Sequence, residues 1–88
     1  MAADYEETMN ALTEGQPPDV VEFVLRRVGC NHWLGEEPFD DDRAKEIQGV
    51  IEQLKCQTIE QDEKALRRLH VDDARALKAI VDARDLAF

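Results

Sequence analysis

The sequence predicts an all-α protein, a compact bundle of four or five short helices with one long ordered loop at about residues 29–40. Three observations carry this expectation. Apolar residues recur at i, i+3, i+4 and i+7 through most of the chain, the period of a helix with one buried face. Capping residues and glycines punctuate those stretches where helices should start and stop. No stretch alternates apolar and polar residues as a half-buried strand does.

The first helix is expected over residues 4–14, with Tyr5, Met9 and Leu12 as its stripe, Asp4 as its cap and Gly15 as its stop. A Gln16-Pro17-Pro18 turn follows. Asp19 and Glu22 have the spacing of a capping box and open the most apolar helix: Val20, Val21, Phe23, Val24, Leu25 and Val28. Too many of its faces are apolar for a surface helix, so it should be central. A buried strand is the rival reading of this β-branched run. The cap, Arg26 and Arg27 near the far end, and Gly29 as a stop favour the helix.

Cys30 to Phe39 is long for a connection between helices. Pro38 pushes Glu37 towards extended geometry. Trp33, Leu34 and Phe39 are expected to fold back on the bundle, each stabilising by about 1.5–3 kcal/mol if fully buried. Asp40, Asp41 and Asp42 suit the positive end of a third helix. Ala44, Ile47, Val50, Ile51 and Leu54 carry its period to Lys55. Gly49 within it costs about 1 kcal/mol against Ala, which close approach of another element would explain. Thr58 and Gln61 form a second capping box, for a helix through Leu69 with Ile59, Ala65, Leu66 and Leu69 inward. Glu60–Lys64 and Glu63–Arg67 have favourable i,i+4 order on it. Asp72 or Asp73 caps the last helix, whose stripe is Leu77, Ile80 and Val81.

At 88 residues the chain is a single domain, 1–88, whose core alone gives marginal stability. Its 43% apolar content is too high for a disordered chain. No run approaches the ~20 apolar residues of a membrane span. The opening Met-Ala-Ala-Asp-Tyr-Glu-Glu is no signal peptide. The expected location is cytoplasmic for the chain as written, and periplasmic if a leader was removed. Net charge is -9, and residues 1–42 hold 11 acids against two bases, whereas residues 43–88 hold nine of each. That field repels nucleic acid and anionic membrane and attracts basic surfaces. The expected partner is therefore a protein with a basic surface, with no direct nucleic-acid binding and no membrane binding.

Cys30 and Cys56 fall at the C-terminal ends of the second and third helices in this reading. A bridge between them requires those helices to run roughly parallel. A connection of about ten residues reaches roughly 33 Å, against roughly 22 Å for the returning helix. The bridge would add about 3 kcal/mol; free thiols in a reducing compartment are the alternative. Cys30, His32, Cys56 and His70 lack the doubled close pairing of structural zinc sites. Cys30 and His32 lack an orienting acid and an oxyanion donor. The acids of residues 36–42 do not follow the calcium-loop pattern, and no phosphate loop or basic stripe is present. No catalytic residue, metal or cofactor is assigned.

The run Cys30-Asn31-His32-Trp33, then Gly35-Glu36-Glu37-Pro38, Arg43, Ile47, Leu54-Lys55-Cys56, Asp62 and Leu66-Arg67-Arg68 resembles a pattern in short proteins of Gram-negative bacteria, over roughly residues 22–82. Many of those proteins are exported. The resemblance implies the same here, and export favours the bridge.

The first functional expectation is a non-enzymatic protein-binding module. Trp33 and Leu34 would anchor it within a rim of Glu36, Glu37, Asp40, Asp41 and Asp42, since aromatic anchors inside charged rims concentrate binding energy. One alternative is a nucleic-acid mimic or phage-type inhibitor, with Glu6, Glu7, Glu36, Glu37 and Asp40–Asp42 placed where phosphates lie. Another is a small exported structural protein with a disulfide.

Overall fold

The computed structural model describes residues 2–88, with side chains from Asp4 onward. Five helices follow one another: α1 (Ala2–Thr13), α2 (Pro18–Leu34), α3 (Asp41–Gln53), α4 (Ile59–Leu69) and α5 (Ala74–Asp82). Short 3-10 turns at Cys56–Thr58 and Ala83–Asp85 precede α4 and follow α5. No strand occurs among the described residues. The bundle measures 46 × 30 × 18 Å. A thickness of 18 Å admits about two layers of helix, each roughly 10 Å across.

α2 is the central element. Val20, Phe23, Val24 and Val28 are all buried, and α1, α3, α4 and α5 each pack against it. Met9 of α1, Ile59 and Leu66 of α4, and Ala76, Ala79 and Ile80 of α5 complete the core around it. Its start differs from the expected capping box. Pro18 takes the first helical position, where its missing N–H is no loss, and the Asp19 carboxylate accepts from the adjacent Val20 N–H at 2.8 Å.

Its end differs more. Gly29 does not stop α2, which continues to Leu34. Gly29 instead allows close packing: a Cβ there would meet Leu54 Cδ1 at 3.2 Å. The close approach expected at Gly49 is therefore at Gly29, and a Cβ at Gly49 would meet nothing within 4 Å. The long loop shrinks to Gly35–Asp40. Arg43, near the start of α3, lies on Trp33 near the end of α2, while Leu54, after α3, lies on Gly29. The two helices therefore run in opposing senses, not parallel.

Cys30 and Cys56 are nevertheless joined, with sulfurs 2.10 Å and Cα atoms 5.7 Å apart. Parallel helices are not needed, because Cys30 lies inside α2 and Cys56 lies past the end of α3. The chain turns there at Lys55, whose φ of 55° is left-handed. Arg26, one helical turn before Cys30, grips the same bend. It donates to the carbonyls of Leu54 at 2.5 Å and Lys55 at 2.8 Å, and to the Asp62 carboxylate at 2.6 Å.

The caps of the later helices match their expected positions in part. Asp40 accepts from the Arg43 N–H at 2.8 Å and Asp73 from the Ala76 N–H at 3.0 Å. Thr58 precedes α4 but makes no cap; its hydroxyl reaches Asp62 at 2.9 Å. The buried face of α4 is Ile59, Glu63 and Leu66, at i, i+4 and i+7, so Ala65 and Leu69 turn outward and Leu69 is 75% exposed. Glu63 is 1% exposed. It is held by the Arg84 guanidinium through bonds of 2.9 and 3.0 Å and a third, shorter contact. Arg67 approaches it only to 3.9 Å, and Glu60 pairs with Arg27 rather than Lys64.

Three carboxylates titrate below their ordinary range. Hydrogen bonding from Arg84 lowers Glu63, from Arg26 lowers Asp62, and from His70 lowers Asp19. Each folded pKa is depressed, so each contribution to stability is present above the unfolded pKa and is lost as pH falls through the folded one. Chemical denaturation should give a stability that holds near neutrality and declines as pH drops below about 4. Glu63→Gln should flatten part of that decline. A stability unchanged from neutral pH to pH ~3 would contradict the assignment of these three groups.

Candidate docking site

α2 ends where Gly35 leaves the helix, and Asp40 opens α3. The six-residue bridge between them is pinned from beneath by Arg43. Its guanidinium lies 5.1 Å from the centre of the Trp33 ring, a cation–π contact. It donates to Glu36 through Nε at 2.8 Å and through Nη2, and to Glu46 at 2.9 Å. Hydrogen bonding to Glu36 raises the Arg43 pKa further, so this cation is permanent. Glu36 also lies 3.5 Å from His32, whose ring meets Trp33 edge-on at 5.2 Å.

The residues expected to contact a partner thus separate into two groups. Trp33 is half-buried under Arg43, and Glu36 is engaged by Arg43 and His32. These two hold the loop. Leu34 is 58% exposed and Phe39 is 84% exposed, so the expectation that both fold back on the bundle is overturned. Glu37, Asp40, Asp41 and Asp42 are exposed beside them. Asp40 also caps α3. The outward-facing residues of this segment are therefore the apolar Leu34 and Phe39 and the four carboxylates Glu37, Asp40, Asp41 and Asp42.

The Cys-Asn-His-Trp run is absorbed by the fold. Cys30 is bridged to Cys56, which removes both sulfurs as thiolate nucleophiles or metal ligands. The Asn31 amide donates to the carbonyls of Ala83, Arg84 and Leu86 at 3.0, 3.1 and 2.8 Å, tying the chain after α5 to α2. His32 Nδ1 lies 2.6 Å from the Phe88 carbonyl oxygen, and the Phe88 ring meets Tyr5 edge-on at 4.9 Å. Sequence reasoning missed Arg43 as the organiser of the loop. A cation three residues past a capping Asp carried the available signal, but its contact with Trp33 spans two helices.

Among the described residues, no group of three or more His, Cys, Asp or Glu side chains is placed to hold a metal ion. No helix there is long and apolar enough to cross a membrane. Compared with protein-family models, characterised proteins and solved structures, the chain matches none.

Arg43→Gln removes the cation over Trp33 and the ion pairs to Glu36 and Glu46. It should red-shift Trp33 emission, increase quenching by acrylamide and lower stability modestly, since the cation–π contact and the ion pairs it removes lie near the surface. Unchanged emission would show that Arg43 does not shield the ring.

Proposed function

We propose that the chain is a non-enzymatic binding module whose Leu34–Asp42 segment docks on a basic, partly apolar surface of a protein partner. The exposure of Phe39, 84% in a loop otherwise pinned by Arg43, carries this reading. A large aromatic side chain held in water by an ordered loop is unfavourable for the isolated protein. Within a charged rim it has the makeup of an interface anchor. Glu37 and Asp40–Asp42 would steer a cationic partner and set the encounter rate.

Peptide display against the immobilised protein tests this. Selected sequences should combine Lys or Arg with apolar residues. Phe39→Ser should weaken them by about tenfold or more, as expected when an anchor worth at least ~1.4 kcal/mol is removed. Replacing Asp40, Asp41 and Asp42 by Asn should mainly slow association and flatten its salt dependence. Peptides that are apolar only, or that bind Phe39→Ser equally well, would remove the reading. Capture of nucleic-acid-binding proteins that DNA then displaces would favour the mimic instead.

The disulfide supports a second reading, in which this module works in an oxidising, exported setting. Cys30 is 1% exposed and Cys56 is 6% exposed, which protects the bond from reductants. A closed loop of 26 positions stabilises by about 3–4 kcal/mol. Reduction under mild denaturation should therefore lower the melting temperature by well over 10 °C, at about 4–8 °C per kcal/mol. Cys30→Ser, Cys56→Ser and the double variant should lose similar amounts, since each removes the same bond. Rapid alkylation of intact cells should leave both sulfurs unlabelled; two labelled thiols would place the protein in a reducing compartment.

A further inference from the structure

α4 presents Lys64, Arg67 and Arg68 outward, at positions i, i+3 and i+4, which share one helical face. Lys64 and Arg68 make no ion pair among the described residues. Arg67 reaches Glu63 only at 3.9 Å and is 45% exposed. Beside these cations, Val71 is 65% exposed. Lys64, Arg67, Arg68 and Val71, with Leu77 of α5, line an open cleft of about 320 Å³. In a chain of net charge -9, this is a local basic patch with an apolar floor.

We propose that this cleft receives the Leu34–Asp42 segment of a second copy of the chain. This rests on the docking role assigned to that segment and names its partner. The charge complementarity is specific. One surface carries exposed Leu34 and Phe39 with four exposed carboxylates along the same segment, and the other sets exposed Val71 and half-buried Leu77 among three cations. A copy using its segment on a neighbour leaves its own cleft free for another. The contact is therefore heterologous, and it propagates or closes into a ring rather than stopping at a symmetric pair. At about 0.15 M salt, screening over ~8 Å suppresses the mutual repulsion of the acidic copies while charges in direct contact still attract.

Sedimentation velocity of the intact, oxidised protein from micromolar to millimolar concentration tests the proposal. Mean mass should rise with concentration, less so at 1 M salt. Phe39→Ser and the Arg67→Glu/Arg68→Glu pair should each weaken association on the order of tenfold or more, with unchanged circular dichroism. A mixture of the two variants should form a heterodimer and nothing larger, because each retains one of the two surfaces. A monomer at every concentration, or assembly unaffected by either variant, overturns it. If the protein is monomeric while its selected basic peptides still depend on Phe39, self-association fails and the docking segment stands. If Phe39→Ser changes neither, both fail.

Discussion

The bend at Leu54–Cys56 depends on two contacts one helical turn apart on α2. Cys30 ties it covalently to Cys56, and Arg26 holds the carbonyls of Leu54 and Lys55. A left-handed residue such as Lys55 is unfavourable for a side chain with a Cβ, and surrounding contacts must over-determine it. Arg26 does so while also binding Asp62, the residue that receives the Thr58 hydroxyl. One guanidinium thus sets the end of α3 and the start of α4 at once. Gly29, between Arg26 and Cys30, lets Leu54 come close enough for both contacts to form.

The same logic governs the placement of charge. Arg26, Arg27, Arg43 and Arg84 each bind a carboxylate on another element or loop, whereas the lysine pair with a near acid, Lys78–Asp82, lies within one helix. A planar guanidinium satisfies several acceptors from a single position, which an ammonium on a flexible stem does less well. Glu63 shows why this matters. It occupies a core position on α4 that an apolar residue would otherwise fill, and a buried carboxylate without Arg84 would carry a desolvation penalty of several kcal/mol. Arginines taken up internally leave the acids of the first half unbalanced at the surface. The net charge of -9 is therefore concentrated where α1 and the α2–α3 loop face solvent.

Helix number, the central place of α2, the acidic start of α3 at Asp40–Asp42 and the cap of α5 at one of Asp72 and Asp73 were legible in the sequence, because each depends on residues within a few positions of one another. The Cys30–Cys56 pairing was legible as one of two alternatives, though the parallel helices invoked for it were not needed. What could not be read was decided across the chain. Gly29 has the features of a helix stop, but Asn31, His32 and Cys30 each find a distant partner that rewards one more turn and a half of helix. Leu69 follows the apolar spacing of α4, but Glu63 takes the inward position and rotates the face away from it. Phe39 has the character of a core residue, yet the loop between α2 and α3 leaves it exposed. Of the residues singled out in the sequence as partner contacts, Leu34, Glu37 and Asp40–Asp42 are exposed, whereas Trp33 and Glu36 brace the loop, and Phe39, expected to fold back, projects from it.

That division bears on how such a small domain keeps an apolar loop in water. Burying Phe39 would stabilise the fold by about 1.5–3 kcal/mol, a sizeable part of the total for a domain near 90 residues. Forgoing it demands other restraints on the loop. Arg43 stacked on Trp33, Glu36 between Arg43 and His32, and Asp40 capping α3 supply them from both ends. A loop merely left loose would have no need of this bracing. An ordered loop loses little conformational entropy when a partner covers it, so on the proposed reading the bracing by Trp33 and Glu36 would favour binding at Phe39 without either residue touching the partner. The exposed Phe39 and the residues that brace its loop are distinct within the same short segment, so substitutions at Phe39 and at Arg43 report on different properties of one loop.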